Sequence, residues 1–185
     1  MSMREHIVRM AAYNEVMNVK LYEAAAQLAP HDLFDDRKAF FGSLFATMNH
    51  LLVGDSIWLK RFSTHPACHP ALDAIRQRPA PMTLTAPLAS DLPTLGALRR
   101  DLDRTIRAWA DQLTDADLGH VLCYGNTKGI VSRKRFSSLV IHFFNHQTHH
   151  RGQATTLLSQ SGVDIGMTDL LMLIPNEPED QTQAV

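Results

Sequence analysis

PACHPALDAIRQRPAPMTLTAPLASDLP, residues 66–93, holds six of the chain's nine prolines. Proline lacks a backbone N–H and is excluded from helix interiors. This stretch is therefore a long connection, broken at most by one short helix near residues 71–75. On either side, proline is scarce and apolar residues recur at helical spacing. Residues 3–28 read as a first helix, on Ile7, Met10, Asn14, Met17, Leu21, Ala24 and Leu28, ended by Pro30. A second spans residues 40–62 on Leu44, Met48, Leu51, Asp55, Trp58 and Phe62. A third starts at Pro93, which suits a first helical turn, and carries Leu95, Leu98, Leu102, Ile106 and Trp109 to Leu113.

The period then changes. Residues 121–124 and 130–131 flank a glycine-bounded turn at 125–129, the pattern of a small β-hairpin. Ser132 is the expected N-cap of a fourth helix over residues 133–161, stopped by Gly162. A short apolar segment at 168–174 and a polar tail at 175–185 follow. The fold class is all-α: a four-helix bundle with a long crossover between helices two and three and a small β-hairpin before helix four. It forms one domain over residues 1–174, and the crossover is long enough for helices two and three to run in the same direction.

The chain has 185 residues and 20.7 kDa, enough to bury ~70% of its unfolded surface without a disulfide or structural metal. A net charge of -1 and a pI of about 6.8 exclude the basic excess of a nucleic-acid binder and a polybasic membrane face. No apolar run reaches the ~18 residues of a membrane span. Cys68 and Cys123 form no CxxC pair, so reduced thiols and a cytoplasmic location are expected.

Four of the ten histidines lie in Ile141-His142-Phe143-Phe144-Asn145-His146-Gln147-Thr148-His149-His150-Arg151-Gly152-Gln153. On a helix, positions four apart share a face. A wheel drawn on the stripe of Phe136, Val140, Phe143, Ala154 and Leu158 sets His150 inside its edge and His146 on it. His142 falls further round, and His149 points away. Two imidazoles spaced HxxxH can take neighbouring corners of a metal's shell. No Glu follows His146, which excludes a zincin, and no glutamate has a histidine three residues later, which excludes a ferritin-like carboxylate site. The same pattern fits a polar helix face whose histidines meet no metal. A third ligand must come from elsewhere: His6 and His50 lie on helices, and His31, His65, His69 and His120 in loops. His50 sits beside Thr47 and Gly54, off the centre of its stripe, as a groove-rim or a solvated residue would.

With the fourth-helix run, Asn49-His50-Leu-Leu-Val-Gly-Asp55-Ser-Ile-Trp58-Leu, Tyr13-Asn14, Asp115-Ala-Asp-Leu118 and Thr168-Asp169-Leu170 make the chain resemble the DinB/YfiT-like family of bacterial metal-binding four-helix bundles. The resemblance runs from residue 3 to about 174. Val16 and Met17 stand where the family often has a tryptophan, a packing difference. Carried over, the family's metal triad falls on His50, His146 and His150. The resemblance implies a divalent metal: zinc or nickel first, iron or another also compatible with imidazole ligands.

Three imidazoles leave the metal an open position for water, a thiol or another small-molecule substrate. Some members of the family are thiol S-transferases or metal-dependent hydrolases, and the resemblance implies an enzyme of one of these types. The alternative is a non-enzymatic metal-binding or scaffold homodimer of the same fold. A homodimer is expected on either reading, with Ala11, Ala24 and Ala25 allowing close helix contact, and neither nucleic acid nor membrane is an expected partner. Asp55 reads as a hydrogen-bond acceptor that orients a ligand, or as one half of a buried pair with Arg151. Asn145 and Gln153 read as surface amides, or as donors to substrate. His65-Pro-Ala-Cys68-His69 reads as a solvated turn rather than a second metal cluster. Arg133-Lys134-Arg135 is too short a run for nucleic acid, and Trp58 and Trp109 are expected in the core.

Overall fold

A computed structural model describes residues 1–126 and 129–177. The hairpin tip at 127–128 and the end of the expected tail, 178–185, lie outside the described residues. Among those described, the chain is mostly helical. Its elements are α1 (Met3–Ala25), α2 (Leu44–Phe62), α3 (Asp73–Gln77), α4 (Leu92–Gln112), α5 (Asp115–Gly119), β1 (Val121–Gly125), β2 (Val131–Arg135) and α6 (Phe136–Gln160). Short 3₁₀ turns cover Pro70–Leu72 and Leu170–Leu173. The four long helices enclose one core: α1 packs on α4 and α6, and α2 packs on the same two. No helix among the described residues is long and apolar enough to cross a membrane.

Helix ends follow local chemistry. Ser2 and Glu5 cap α1 reciprocally, Ser43 caps α2 through the Ala46 N–H, and Asp91 caps α4 ahead of Pro93. Three boundaries differ from the sequence expectation. α1 stops at Ala25, leaving Leu28 in a turn. α2 starts at Leu44 rather than residue 40, because residues 39–42 close a tight turn in which Gly42 takes a φ of +82°. The largest correction lies before α6. Ser132 is not its N-cap but pairs with Tyr124 in the hairpin, and β2 runs on through Arg135. The cationic run Arg133-Lys134-Arg135 therefore belongs to a strand. Asp115–Gly119, read only as a likeness to the family, is a short helix with its own Thr114–Asp117 capping box.

The core is not wholly apolar. Asp55 of α2 is 0% exposed and Arg99 of α4 is 3% exposed. Arg99 Nη1 donates to Asp55 Oδ2, and Nη2 lies 2.8 Å from Asp103 Oδ1. Asn14 and Asn18 of α1 donate to Asp103 at 3.2 and 3.0 Å. Gln147 of α6 donates to the other Asp55 oxygen at 2.9 Å, and Arg151 donates to Asn14. The Asp55–Arg151 pair weighed from the sequence is thus replaced by Asp55–Arg99. Burial pushes both carboxyls up against the pull of Arg99. Burial also lowers Arg151 to about 10. Trp109 is buried as expected, whereas Trp58 is only half-buried, with the Arg61 guanidinium 4.6 Å from its ring centre. Ala11, Ala24 and Ala25 are buried in the chain's own core, so they offer nothing to a second copy.

Removing one partner of a buried ion network strands the other charges. Arg99→Met should cost about 3–5 kcal/mol in urea unfolding. Arg104→Met, which breaks an exposed pair with Asp101, should leave the midpoint almost unmoved.

Candidate metal centre

The second turn of α2 supplies His50, and adjacent turns of α6 supply His146 and His150. Each offers a ring nitrogen within 4.8 Å of the other two. Their ring centres stand 5.4, 4.5 and 4.4 Å apart for 50–146, 50–150 and 146–150. Two of the rings are held from behind. His50 Nδ1 donates to the Leu84 carbonyl at 2.9 Å, and His150 Nδ1 donates to Gln153 Oε1 at 2.8 Å. With Nδ1 protonated, each ring turns an Nε2 lone pair away from its anchor. His50 Nε2 is buried and meets no hydrogen-bond donor. A buried lone pair without a partner is costly, and a divalent cation among three imidazoles satisfies it. The donor set therefore fits a zinc- or nickel-type ion with an open position.

The ring of His146 rests on Gly54. A Cβ at that position would lie 2.8 Å from His146 Cε1, so only glycine lets α2 and α6 approach closely enough there. Phe41, delivered by the turn at Gly42, stacks on His50 with ring centres 4.0 Å apart and meets His150 edge-on at 5.5 Å. Asn49 fixes the crossover above the site, donating to the Ala86 carbonyl and accepting from the Leu88 N–H, both at 2.9 Å.

Burial lowers the pKa of all three imidazoles. His146 is driven furthest, to about 3, by burial first and then by the other rings. All three are neutral at neutral pH, the form that binds metal.

The structure brings together the three residues that the resemblance singled out, and the neighbouring His142 and His149 are not part of that group. His142 is exposed and packs on Trp58, with ring centres 5.0 Å apart. His149 is exposed, as the wheel predicted, and accepts from Gln153 Nε2 at 3.3 Å. His50 is 4% exposed, deeper than a groove rim. Asp55 reaches Arg99 and Gln147, not an imidazole. Asn145 is a surface amide, but Gln153 is not: it aims His150. His65 and His69 are buried and gather with Asp117 into a second group, so the solvated-turn reading fails. Sequence reasoning missed Phe41 and Leu84. Leu84 acts through its carbonyl, for which side-chain identity gives no signal, whereas Phe40-Phe41-Gly42 ahead of a capping serine was a usable hint.

His50→Ala, His146→Ala and His150→Ala should each abolish tight zinc binding at this triad in a chelator competition, with His149→Ala near wild type. Gln153→Leu, which loses the orienting bond to His150 and the contact with exposed His149, should weaken binding about 10–100-fold. Gly54→Ala should also weaken binding, although alanine is the better helix former.

The lowered imidazoles also set a pH dependence. As pH falls below about 6.5, the unfolded chain's histidines take up protons that these folded rings refuse. Metal-free protein should lose melting temperature from about pH 6.5 towards pH 4, and His146→Leu should flatten that slope.

A model of the DinB family matches residues 1–182. No curated protein and no solved structure gives a significant match. Since the family model takes in nearly the whole chain, helices, crossover and hairpin alike, this protein belongs to the DinB family.

Proposed function

We propose that the chain is a divalent-metal-dependent enzyme, a four-helix bundle that holds its ion on His50, His146 and His150 and activates a thiol. The observation that carries this reading is the donor set: three neutral imidazoles, joined by no carboxylate among the described residues. Neutral ligands leave the ion's full positive charge facing the open position, where it would lower the pKa of a bound thiol or water. With no carboxylate at hand as a general base, the better nucleophile is one that ionises readily by itself. A thiol, with an ordinary pKa of about 8.5, does so far more easily than water. Hydrolysis by activated water is the second reading.

The protein's own residues do the positioning. The Leu84 carbonyl and Gln153 keep the protons of His50 and His150 on Nδ1, so that both Nε2 atoms stay free. Phe41 covers one side of the rings, and Phe40, which packs on it edge-to-face, is 85% exposed. Together they form an apolar wall suited to the carbon skeleton of an electrophile or thioether. Cys68 and Cys123 are free and exposed, which supports a reducing, cytoplasmic setting.

The test is turnover by zinc- or nickel-loaded protein of cysteine or glutathione with 1-chloro-2,4-dinitrobenzene, beside hydrolysis of p-nitrophenyl acetate. Metal-dependent thiol conjugation, lost in His146→Ala, is expected. Ester hydrolysis alone would favour activated water. Tight metal binding without either activity would leave the non-enzymatic homodimer.

A further inference from the structure

At the far end of α2 the chain turns sharply through His65-Pro66-Ala67-Cys68-His69-Pro70. The Cys68 N–H closes the turn on the His65 carbonyl at 2.9 Å, and Cys68 takes a φ of +49°, a conformation that non-glycine residues seldom adopt. The turn folds both imidazoles inward, each 4% exposed, onto Asp117 in α5. His69 Nε2 lies 3.2 Å from Asp117 Oδ2, and His65 Nε2 lies 3.2 Å from the Asp117 carbonyl. The His120 ring stands 4.8 Å from that of His65. At 1.5 Å per residue, this cluster is on the order of 20 Å along α2 from His50.

We propose that His65, His69 and Asp117 form a second divalent-cation site, separate from the triad and independent of the activity assigned to it. A ligand nitrogen or oxygen from each of the three lies within 4.8 Å of the others. Two imidazoles and a carboxylate are a set that zinc-type ions accept. Around an ion with bonds of ~2.0 Å, tetrahedral neighbours stand about 3.3 Å apart. The 3.2 Å between His69 Nε2 and Asp117 Oδ2 already matches that spacing. His69 Nδ1 is buried without a partner, so no hydrogen bond at that atom fixes which nitrogen of the ring carries the proton. With an ion in place of the Nε2 protons, each ring stays neutral by carrying its proton on Nδ1. The cost falls on His65, whose Nδ1 gives up the 3.1 Å bond from the Ala67 N–H. His120 lies beside His65 but outside that group of three. An ion held there would tie the start of the crossover to the segment that leads into the hairpin.

The experiment is zinc stoichiometry by equilibrium dialysis and elemental analysis of the full chain, with melting temperature recorded alongside. Wild type should hold two zinc ions per chain, His146→Ala one, His69→Ala one, and the double variant none. Asp117→Asn is the second variant: its amide oxygen can still accept from His69 and Thr114, so a hydrogen-bonded latch survives while the charge a cation needs is lost. In the His146→Ala background, zinc should raise the melting temperature, and Asp117→Asn should remove that rise. One zinc in wild type and none in His146→Ala would overturn the site. Second-site binding only at millimolar zinc, or equal binding in Asp117→Asn, would overturn it too.

Discussion

A guanidinium sunk between two carboxylates holds this molecule in register. Arg99 meets Asp55 and Asp103, and through Asn14, Asn18, Gln147 and Arg151 the same network reaches all four long helices. Apolar packing tolerates some sliding of one helix on another, but buried charges have few arrangements that leave none unpaired. The network members on α6 are Gln147 and Arg151, and the candidate metal ligands are their neighbours in sequence, His146 and His150. The α6 register that satisfies Asp55 is therefore the register that carries the imidazoles to His50. Core and site share one constraint, met on two adjacent faces of a helix.

The candidate metal centre is assembled from one side by that register and from the other by backbone. Leu84 contributes a carbonyl, Gly54 contributes the absence of a side chain, and the turn at Gly42 delivers Phe41. Burial keeps the imidazoles unprotonated before any ion arrives, so part of the work of binding is done by the fold. The same burial opposes folding in acid, where a solvated histidine would be charged.

The seams of α1, α2 and α4 were legible because 3.6-residue periodicity survives in single sequences. Even Asn14 and Asp55 fell on those seams, where their polarity hinted at the network. Arg99 and Asp103 were hidden by the opposite expectation, that charges on an amphipathic helix face water, and Leu98, read as seam, is 36% exposed. The hairpin was found, but its second strand was cut short, because Ser132 before a polar run imitates a helix cap. His146 and His150 were visible as HxxxH. The choice of His50 came from the family resemblance, because its depth depends on a crossover whose path no local pattern records.

That crossover is tied down at both ends of its exposed stretch. Lys60 Nζ reaches the carbonyls of Ile75, Arg76 and Arg78, and Leu84, Ala86 and Leu88 are pinned by His50 and Asn49. Between those anchors, residues 79–83 lie largely at the surface, with Met82 90% exposed. Evolutionary drift in chain length has somewhere to go: insertions and deletions can accumulate at 79–83 without disturbing the histidine cluster. One residue gained or lost between Leu84 and Leu88 would instead slide the carbonyl off His50. Among related chains, a variable spacer beside a fixed five-residue clamp is the pattern of divergence that this architecture permits.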